Sequence, residues 1–126
     1  MVSVAIFDYG AGNIFSLKNS LEQAGASVDV ITSFDKPNVY SGLLLPGVGN
    51  FDPAIKSINE NSKTKFHDFV KEDTPVLGIC LGMEMFFEKS EEGIEKGFNV
   101  IDGEIVVLPS TMKVPHMGWN NLEIKK

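Results

Sequence analysis

Covalent chemistry in this sequence would centre on Cys80, the single cysteine of the chain. It stands between Gly78 and Gly82, and an apolar run over residues 75–79 leads into it. A predicted strand, then Gly-x-Cys-x-Gly, then a predicted helix is the pattern of a nucleophile elbow with cysteine in place of serine. Glycines suit the sharp turn because a Cβ at either position would crowd it. The pattern predicts a nucleophilic thiol, although a lone cysteine is more often a small buried hydrophobe.

Two backbone segments could stabilise the charge that such a nucleophile creates. The start of a helix favours the thiolate, and the N–H of Leu81 would be free to donate to an oxyanion. A glycine-rich loop at residues 46–49 follows another predicted strand. If this loop lies beside Cys80, an N–H of Val48 or Gly49 would complete an oxyanion hole. The loop is equally consistent with a simple turn from strand to helix.

The sequence does not indicate a catalytic base, a metal site or a cofactor site. Of the two histidines, His67 lies in a predicted helix with several lysines, and we expect it to be a solvated helix residue. His116 follows a proline in a loop, and we expect a structural role for it. One cysteine and two distant histidines do not form a metal-ligand cluster, so no metal is expected. The third glycine of a dinucleotide fingerprint is replaced by Phe15 after one glycine pair and by Asp52 after the other. We therefore expect no cofactor.

The elements that must position these residues alternate along the chain. Apolar runs predict strands at residues 2–7, 28–31, 43–45 and 76–79, the last of them buried. Helical spacing predicts helices at 14–24, from Pro53, around 66–70 and at 82–89, with further short strands at 98–101, 104–108 and 122–124. The alternation predicts an α/β fold with an open, doubly wound, mostly parallel sheet. Ligands bind such sheets beyond the carboxyl ends of the strands.

Composition places the chain among ordinary globular proteins, as one domain over residues 1–126 with 43% hydrophobic and 22% charged residues. A net charge of −6 argues against nucleic acid and anionic membranes as partners. One cysteine allows no internal disulfide and suits a reducing cytosol. We find no signal peptide and no membrane-length apolar run, so we expect a cytoplasmic protein.

Four sequence blocks resemble the class I glutamine amidotransferases, and within them the glutaminase subunits of imidazole glycerol phosphate synthase. The resemblance extends over essentially the whole chain. Its blocks are Asp-Tyr-Gly-Ala-Gly-Asn at 8–13, Leu-Leu-Pro-Gly-Val-Gly-Asn-Phe at 44–51, Pro-Val-Leu-Gly-Ile-Cys-Leu-Gly-Met at 75–83 and Val-Pro-His-Met-Gly-Trp-Asn at 114–120. The first and last blocks are the most specific to this subunit.

The resemblance implies a flavodoxin-like amidotransferase domain that hydrolyses glutamine. Cys80 would attack the carboxamide of glutamine, release ammonia and leave a glutamyl thioester for water to hydrolyse. Leu81 with Val48 and Gly49 would form the oxyanion hole. Gly47, Gly49 and Glu84 would contact the substrate.

A partner is also implied by the resemblance. Ammonia in this family passes through a tunnel to a (β/α)₈ cyclase subunit, with which the glutaminase forms a heterodimer in histidine biosynthesis. Asn13, Met117 and Trp119 would face that cyclase. Core packing is the alternative prediction for Trp119.

Two departures from the family pattern lead to further expectations. Glu84 stands where the family usually has glutamine, and a carboxylate cannot donate as an amide does. The family's triad histidine and glutamate, two residues apart, lie beyond the block at 114–120, and only six residues follow Asn120. We therefore expect a C-terminally truncated member with little glutaminase turnover by itself. The alternatives are a catalytically silent subunit that docks on the cyclase, an amidotransferase serving another synthase, and a flavodoxin-like cofactor binder.

Overall fold

A computed structural model describes residues 1–125 and contains a parallel four-stranded sheet. The strands are β1 (Ser3–Phe7), β2 (Ser27–Ile31), β3 (Gly42–Leu45) and β4 (Val76–Gly78). Their order across the sheet is β2-β1-β3-β4, and all three neighbouring pairs are parallel. The predicted doubly wound parallel sheet is confirmed.

Four helices connect or follow these strands. They are α1 (Ile14–Gln23), α2 (Phe51–Ser57), α3 (Glu60–Lys71) and α4 (Leu81–Glu84), and a short 3-10 turn spans Pro37–Val39. Two further strands of two residues each, β5 (Lys89–Ser90) and β6 (Glu104–Ile105), pair in parallel with each other.

The sheet separates two apolar layers because successive strand residues point to opposite faces. On one face the strands pack against aromatic and aliphatic side chains of α2, α3 and the segment after α4. Phe66 of α3 lies at the centre of this layer, with its ring 4.2 Å from that of Phe98 and 5.7 Å from that of Phe34. On the other face the strands pack mainly against α1. Burial on both faces explains why the strands read as continuous apolar runs.

Both ends of α1 follow from the sequence. The Asn13 side chain accepts a hydrogen bond from the Ser16 N–H at 3.1 Å, which satisfies one unpaired donor at the start of the helix. Gly25 has φ +91°, the left-handed conformation that glycine adopts most easily just beyond a helix. Asn13 and Gly25 therefore mark the two ends of the helix predicted over residues 14–24.

Several predicted boundaries are wrong, and backbone hydrogen bonding explains the largest error. The helix predicted over residues 82–89 ends at Glu84, because the carbonyl oxygen of Met85 accepts from Phe98 N at 2.7 Å and that of Phe86 from Val100 N at 2.8 Å. Residues 98–101 therefore close over the helix end and form no strand. Of the strand predicted at 104–108 only β6 forms, none forms at 122–124, and α2 begins two residues before Pro53.

The strand before Cys80 is less buried than its apolar sequence predicts. Strand β4 is an edge strand of the four-stranded sheet. Helix α1 packs against β1, β2 and β3 and leaves the same face of β4 uncovered. Leu77 is consequently 57% exposed and Ile79 38% exposed. None of the helices within residues 1–125 combines the length and apolar character needed to cross a bilayer.

Candidate active site

The backbone at Cys80 forms a sharp turn between β4 and α4. Cys80 has φ +55° and ψ −117°, a conformation that is strained for a residue with a side chain, and its side chain is exposed. The turn is held on both sides, because Ile79 N donates to Leu45 O at 3.0 Å and Gly82 N donates to Ile79 O at 3.0 Å. The structure therefore presents the sulfur at the surface on a fixed, strained bend.

Close packing explains the glycines on either side of Cys80. A Cβ on Gly78 would come within 2.6 Å of the Met83 Cα and of the Phe86 ring. A Cβ on Gly82 would overlap with the carbonyl oxygen of Leu45. The crowding that the sequence pattern predicts is observed at both positions.

The glycine-rich loop at residues 46–49 packs directly on this turn. A Cβ on Gly47 would overlap with the Tyr9 hydroxyl and lie 3.0 Å from both Gly82 N and the Leu81 Cβ, so a side chain there would force the loop to shift. Val48 and Gly49 then continue at the surface, Gly49 with φ +113°. The loop and the turn, predicted from separate parts of the sequence, are neighbours.

A cleft of about 280 Å³ opens where the loop meets the turn. Leu81, Val48 and Gly49 line it together with Tyr9 and Asn50. Leu81 is the first residue of α4, where a backbone N–H has no partner within the helix. Cys80 does not line this cleft, but its neighbour Leu81 does, so the cleft lies next to the bend. The oxyanion-hole roles of Leu81, Val48 and Gly49 stay predictions.

The sequence matches the family described as glutamine amidotransferase class-I over residues 5–126. The chain belongs to the class I glutamine amidotransferases. Curated relatives named imidazole glycerol phosphate synthase subunit HisH include that of Halalkalibacterium halodurans, 43% identical over 98% of this chain and 61% of the relative. Those of Archaeoglobus fulgidus and Cyanophora paradoxa are 41% and 37% identical, again over 98% of this chain, and over 61% and 59% of theirs. The chain thus spans about three fifths of the length of these relatives.

A solved structure supports the fold of this amidotransferase chain. A Thermoplasma acidophilum protein described as a GMP synthase subunit superposes with a TM-score of 0.52 at 20% identity. The match covers 65% of this chain and 41% of that protein.

Tyr9 lines the cleft, and the sequence analysis did not single it out. Its hydroxyl donates to Pro46 O at 2.6 Å, and its ring is buried. Burial raises the pKa of Tyr9, and a neighbouring Cys80 thiolate raises it further. No local pattern connects residues 37 positions apart, so only the structure reveals this contact.

Glu84 lies one helical turn beyond Cys80 and is partly buried. Within residues 1–125 its Oε2 atom is shielded from solvent and has no hydrogen-bond partner. Burial raises the pKa of Glu84, and the negative charge of Glu92 raises it further. The predicted substrate contact of Glu84 stays a prediction.

The two histidines lie apart from the cleft. His67 lines a separate cavity of about 510 Å³ between α3 and residues 94–98. His116 is exposed within the segment 106–125. Across residues 1–125, no cluster of three or more His, Cys, Asp or Glu side chains is placed to hold a metal ion.

The residues predicted to face a partner are all exposed. Asn13 uses its side chain to cap α1 beside the 46–49 loop, where both line a groove of about 430 Å³. Met117 and Trp119 are exposed in the segment 106–125, so the alternative of core packing for Trp119 is wrong.

Asp52, in the first turn of α2, connects that helix to the loop after β5. Its carboxylate accepts from the backbone N–H groups of Ile94 and Glu95 at 3.0–3.1 Å, and these hydrogen bonds lower its pKa. The sequence analysis noted Asp52 only as the residue that breaks a glycine pattern.

Proposed function

We propose that this chain supplies the nucleophile of a glutamine-hydrolysing subunit that provides ammonia to the cyclase of imidazole glycerol phosphate synthase. The observation that carries the proposal is the strained, exposed bend at Cys80 packed against the 46–49 loop. The relatives at 37–43% identity bear the name of this subunit of the synthase, which supplies the substrate class. On this basis the chain is the N-terminal portion of one amidotransferase domain, in the cytoplasm.

The proposed chemistry is nucleophilic acyl transfer. The Cys80 thiolate attacks the γ-carboxamide carbon of glutamine, a C–S bond forms, and the carbonyl electron pair moves onto oxygen. N–H groups of Leu81 and of Val48 or Gly49 stabilise that oxyanion. Collapse of the intermediate breaks the C–N bond, and the amide nitrogen takes up a proton and leaves as ammonia. Water then cleaves the thioester and releases glutamate.

Proton transfer in this chemistry needs a base that we do not assign to residues 1–126. His67 lines another cavity and His116 lies in the exposed segment, so neither is proposed for the role. We therefore propose low turnover of glutamine by this chain alone. Glutamate release by the purified chain mixed with a cyclase subunit tests this, and rapid release would contradict it.

Substrate contacts are proposed for Gly47, Gly49 and Glu84. The glycines leave backbone close to the ligand, and Glu84 follows the nucleophile by one turn. An ionised Glu84 accepts hydrogen bonds but cannot donate one to the substrate carbonyl. Glu84→Gln should therefore raise the second-order rate constant with which a glutamine analogue labels Cys80, and an unchanged rate constant would refute this contact.

The partner is proposed to be the cyclase subunit, contacted through Asn13, Met117 and Trp119. Exposure of Met117 and Trp119 supports this surface, because large apolar side chains exposed close together often mark an interface. Substitution of both by serine should weaken co-purification with the cyclase. Unchanged co-purification would contradict the assignment.

Selective labelling of Cys80 tests the proposed function directly. The chain contains one cysteine, so a diazoketone analogue of glutamine should add one label, detected by mass spectrometry. Excess glutamine should protect Cys80, and Cys80→Ala should take up no label. Labelling that glutamine does not slow would contradict a glutamine site and favour a silent docking subunit.

A further inference from the structure

Tyr9 lies where the core and the 46–49 loop meet, beside the first residue after Cys80. Its ring belongs to the buried layer and lies 5.7 Å from that of Phe7. Its hydroxyl emerges from that layer and donates to Pro46 O at 2.6 Å. The same residue lines the cleft beside Leu81. A buried ring thus holds a polar atom at the edge of the candidate site.

The hydrogen bond to Pro46 O fixes the first peptide of the glycine-rich loop. A peptide unit is planar, so holding its carbonyl oxygen also sets the direction of the Gly47 N–H on the opposite side. Gly47 has no Cβ, and a Cβ built there would overlap with the Tyr9 hydroxyl. The hydroxyl therefore touches the loop at both Pro46 and Gly47 and limits how the backbone continues into Val48.

Protonation of Tyr9 is compatible with this role. Burial raises its pKa, and a negative charge on Cys80 raises it further, so the hydroxyl keeps the proton that it donates to Pro46 O.

We infer that Tyr9 is a positioning residue that aims the N–H groups of the 46–49 loop at the oxyanion formed by attack of Cys80. The inference rests on the proposed function and goes beyond it, because Tyr9 acts through Pro46 and Gly47 and does not touch the substrate. Its loss should slow steps that form an oxyanion and spare steps that do not.

Two reactions of Cys80 separate these steps. With a γ-glutamyl p-nitrophenyl ester, the thiolate attacks the carbonyl carbon and an oxyanion forms. Its collapse expels p-nitrophenolate and leaves the γ-glutamyl thioester, and this leaving group needs no acid. With iodoacetamide, the thiolate displaces iodide from a methylene carbon, and no oxyanion forms. Both are measured at a pH where the alkylation rate has reached its plateau.

Tyr9→Phe removes only the hydroxyl and is the decisive variant. We expect release of p-nitrophenolate to slow by about tenfold, less than the roughly 10²–10³ typical of losing a whole oxyanion donor. Alkylation should change by less than about twofold, since that reaction uses no loop N–H. Tyr40→Phe is the matched control, because the Tyr40 hydroxyl makes a solvent-exposed hydrogen bond, donating to the Asp29 carboxylate at 3.1 Å. Both rates of that variant should equal those of the unsubstituted chain.

Gly47→Ala tests the position of the loop itself with Tyr9 intact. The added Cβ would overlap with the Tyr9 hydroxyl and crowd Gly82 N and the Leu81 Cβ, so it should displace the loop and lower acylation selectively. If Tyr9→Phe changes the rates of acylation and alkylation equally, or changes neither rate, the positioning role of Tyr9 is wrong. The proposed function would still stand. If the unsubstituted chain releases no more p-nitrophenolate than Cys80→Ala, the proposed function fails and the inference fails with it.

Discussion

Large apolar side chains occur both in the sheet region, residues 1–105, and in the exposed segment, residues 106–125, but only the first buries them. Phe66, Phe69 and Ile55 are fully buried within the layers of the sheet region. Every residue of the exposed segment is exposed, Trp119 completely. The apolar sequence of a segment therefore does not determine its burial, which also requires neighbouring strands and helices to pack against it.

Hydrogen bonding separates the two regions in the same way. The sheet region is connected by parallel strand ladders and by side chains that link distant loops. The exposed segment is joined to it through Val107 N, which donates to the Glu91 carboxylate at 2.6 Å. Substitutions of buried residues in the first region should consequently lower stability, whereas substitutions in the second region should leave it unchanged.

The largest contrast is expected between Phe66→Ala and Trp119→Ala. Phe66 is fully buried and stacks on Phe98, so its loss should lower the free energy of unfolding by about 3–5 kcal/mol. Trp119→Ala should change it by less than about 0.5 kcal/mol, because the ring contacts solvent. Urea unfolding measures both, and a large loss for Trp119→Ala would mean that the exposed segment is packed in solution.

A smaller contrast is expected between two glycines. The new methyl group of Gly82→Ala would overlap with Leu45 O, so the backbone must shift at a cost of about 1–3 kcal/mol. Gly118→Ala adds a Cβ that meets nothing within 4 Å and should have no effect. Thermal unfolding compares the two. Equal melting temperatures would show that the Cys80 bend tolerates a side chain at position 82.

Glu84→Gln should change how stability depends on pH. The pKa of Glu84 is raised in the folded state, so its favourable contribution is complete below the unfolded pKa and is lost as pH rises through the folded pKa. Glutamine carries no charge to desolvate, so the variant should melt higher than the unsubstituted chain at pH 8 and lose this advantage at pH 4. Glu88→Gln, at an exposed position, is the control. An advantage that is independent of pH would contradict the burial of this carboxyl.

The smallest effect is expected at Asp52. Its pKa is lowered in the folded state, so its contribution is present above the unfolded pKa and is lost as pH falls through the folded pKa. Asp52→Asn should slightly lower the melting temperature at pH 7, and the difference should shrink towards pH 3. Glu91→Gln, at the contact with the exposed segment, should leave the melting temperature unchanged. A larger loss for Glu91→Gln would show that the exposed segment adds to stability through its contact with Glu91.

The four parallel strands and the ends of α1 could be predicted because local features determine them. Apolar runs bounded by polar turns give the strands, and Asn13 and Gly25 cap the helix. The bend at Cys80 could be predicted for the same reason, since Gly78 and Gly82 lie within two residues of it.

Contacts between distant residues could not be predicted. Nothing local connects Tyr9 with Pro46, or Asp52 with Ile94 at a separation of 42 residues. The early end of α4 also results from a contact between distant residues, because the Phe98 N–H donates to the Met85 carbonyl oxygen. An edge position also cannot be read from an apolar run, which explains why β4 is more exposed than predicted.

Leu45 connects the Cys80 bend with the 46–49 loop. Its carbonyl oxygen accepts from Ile79 N and abuts the Gly82 backbone, and the residue after it begins the 46–49 loop. The 46–49 loop follows β3 and Cys80 follows β4, so the pairing of these two strands determines the distance between the sulfur and the loop. A hinge movement elsewhere in the molecule would carry both as a rigid unit, whereas a slip of that single pair by one residue would dismantle the geometry.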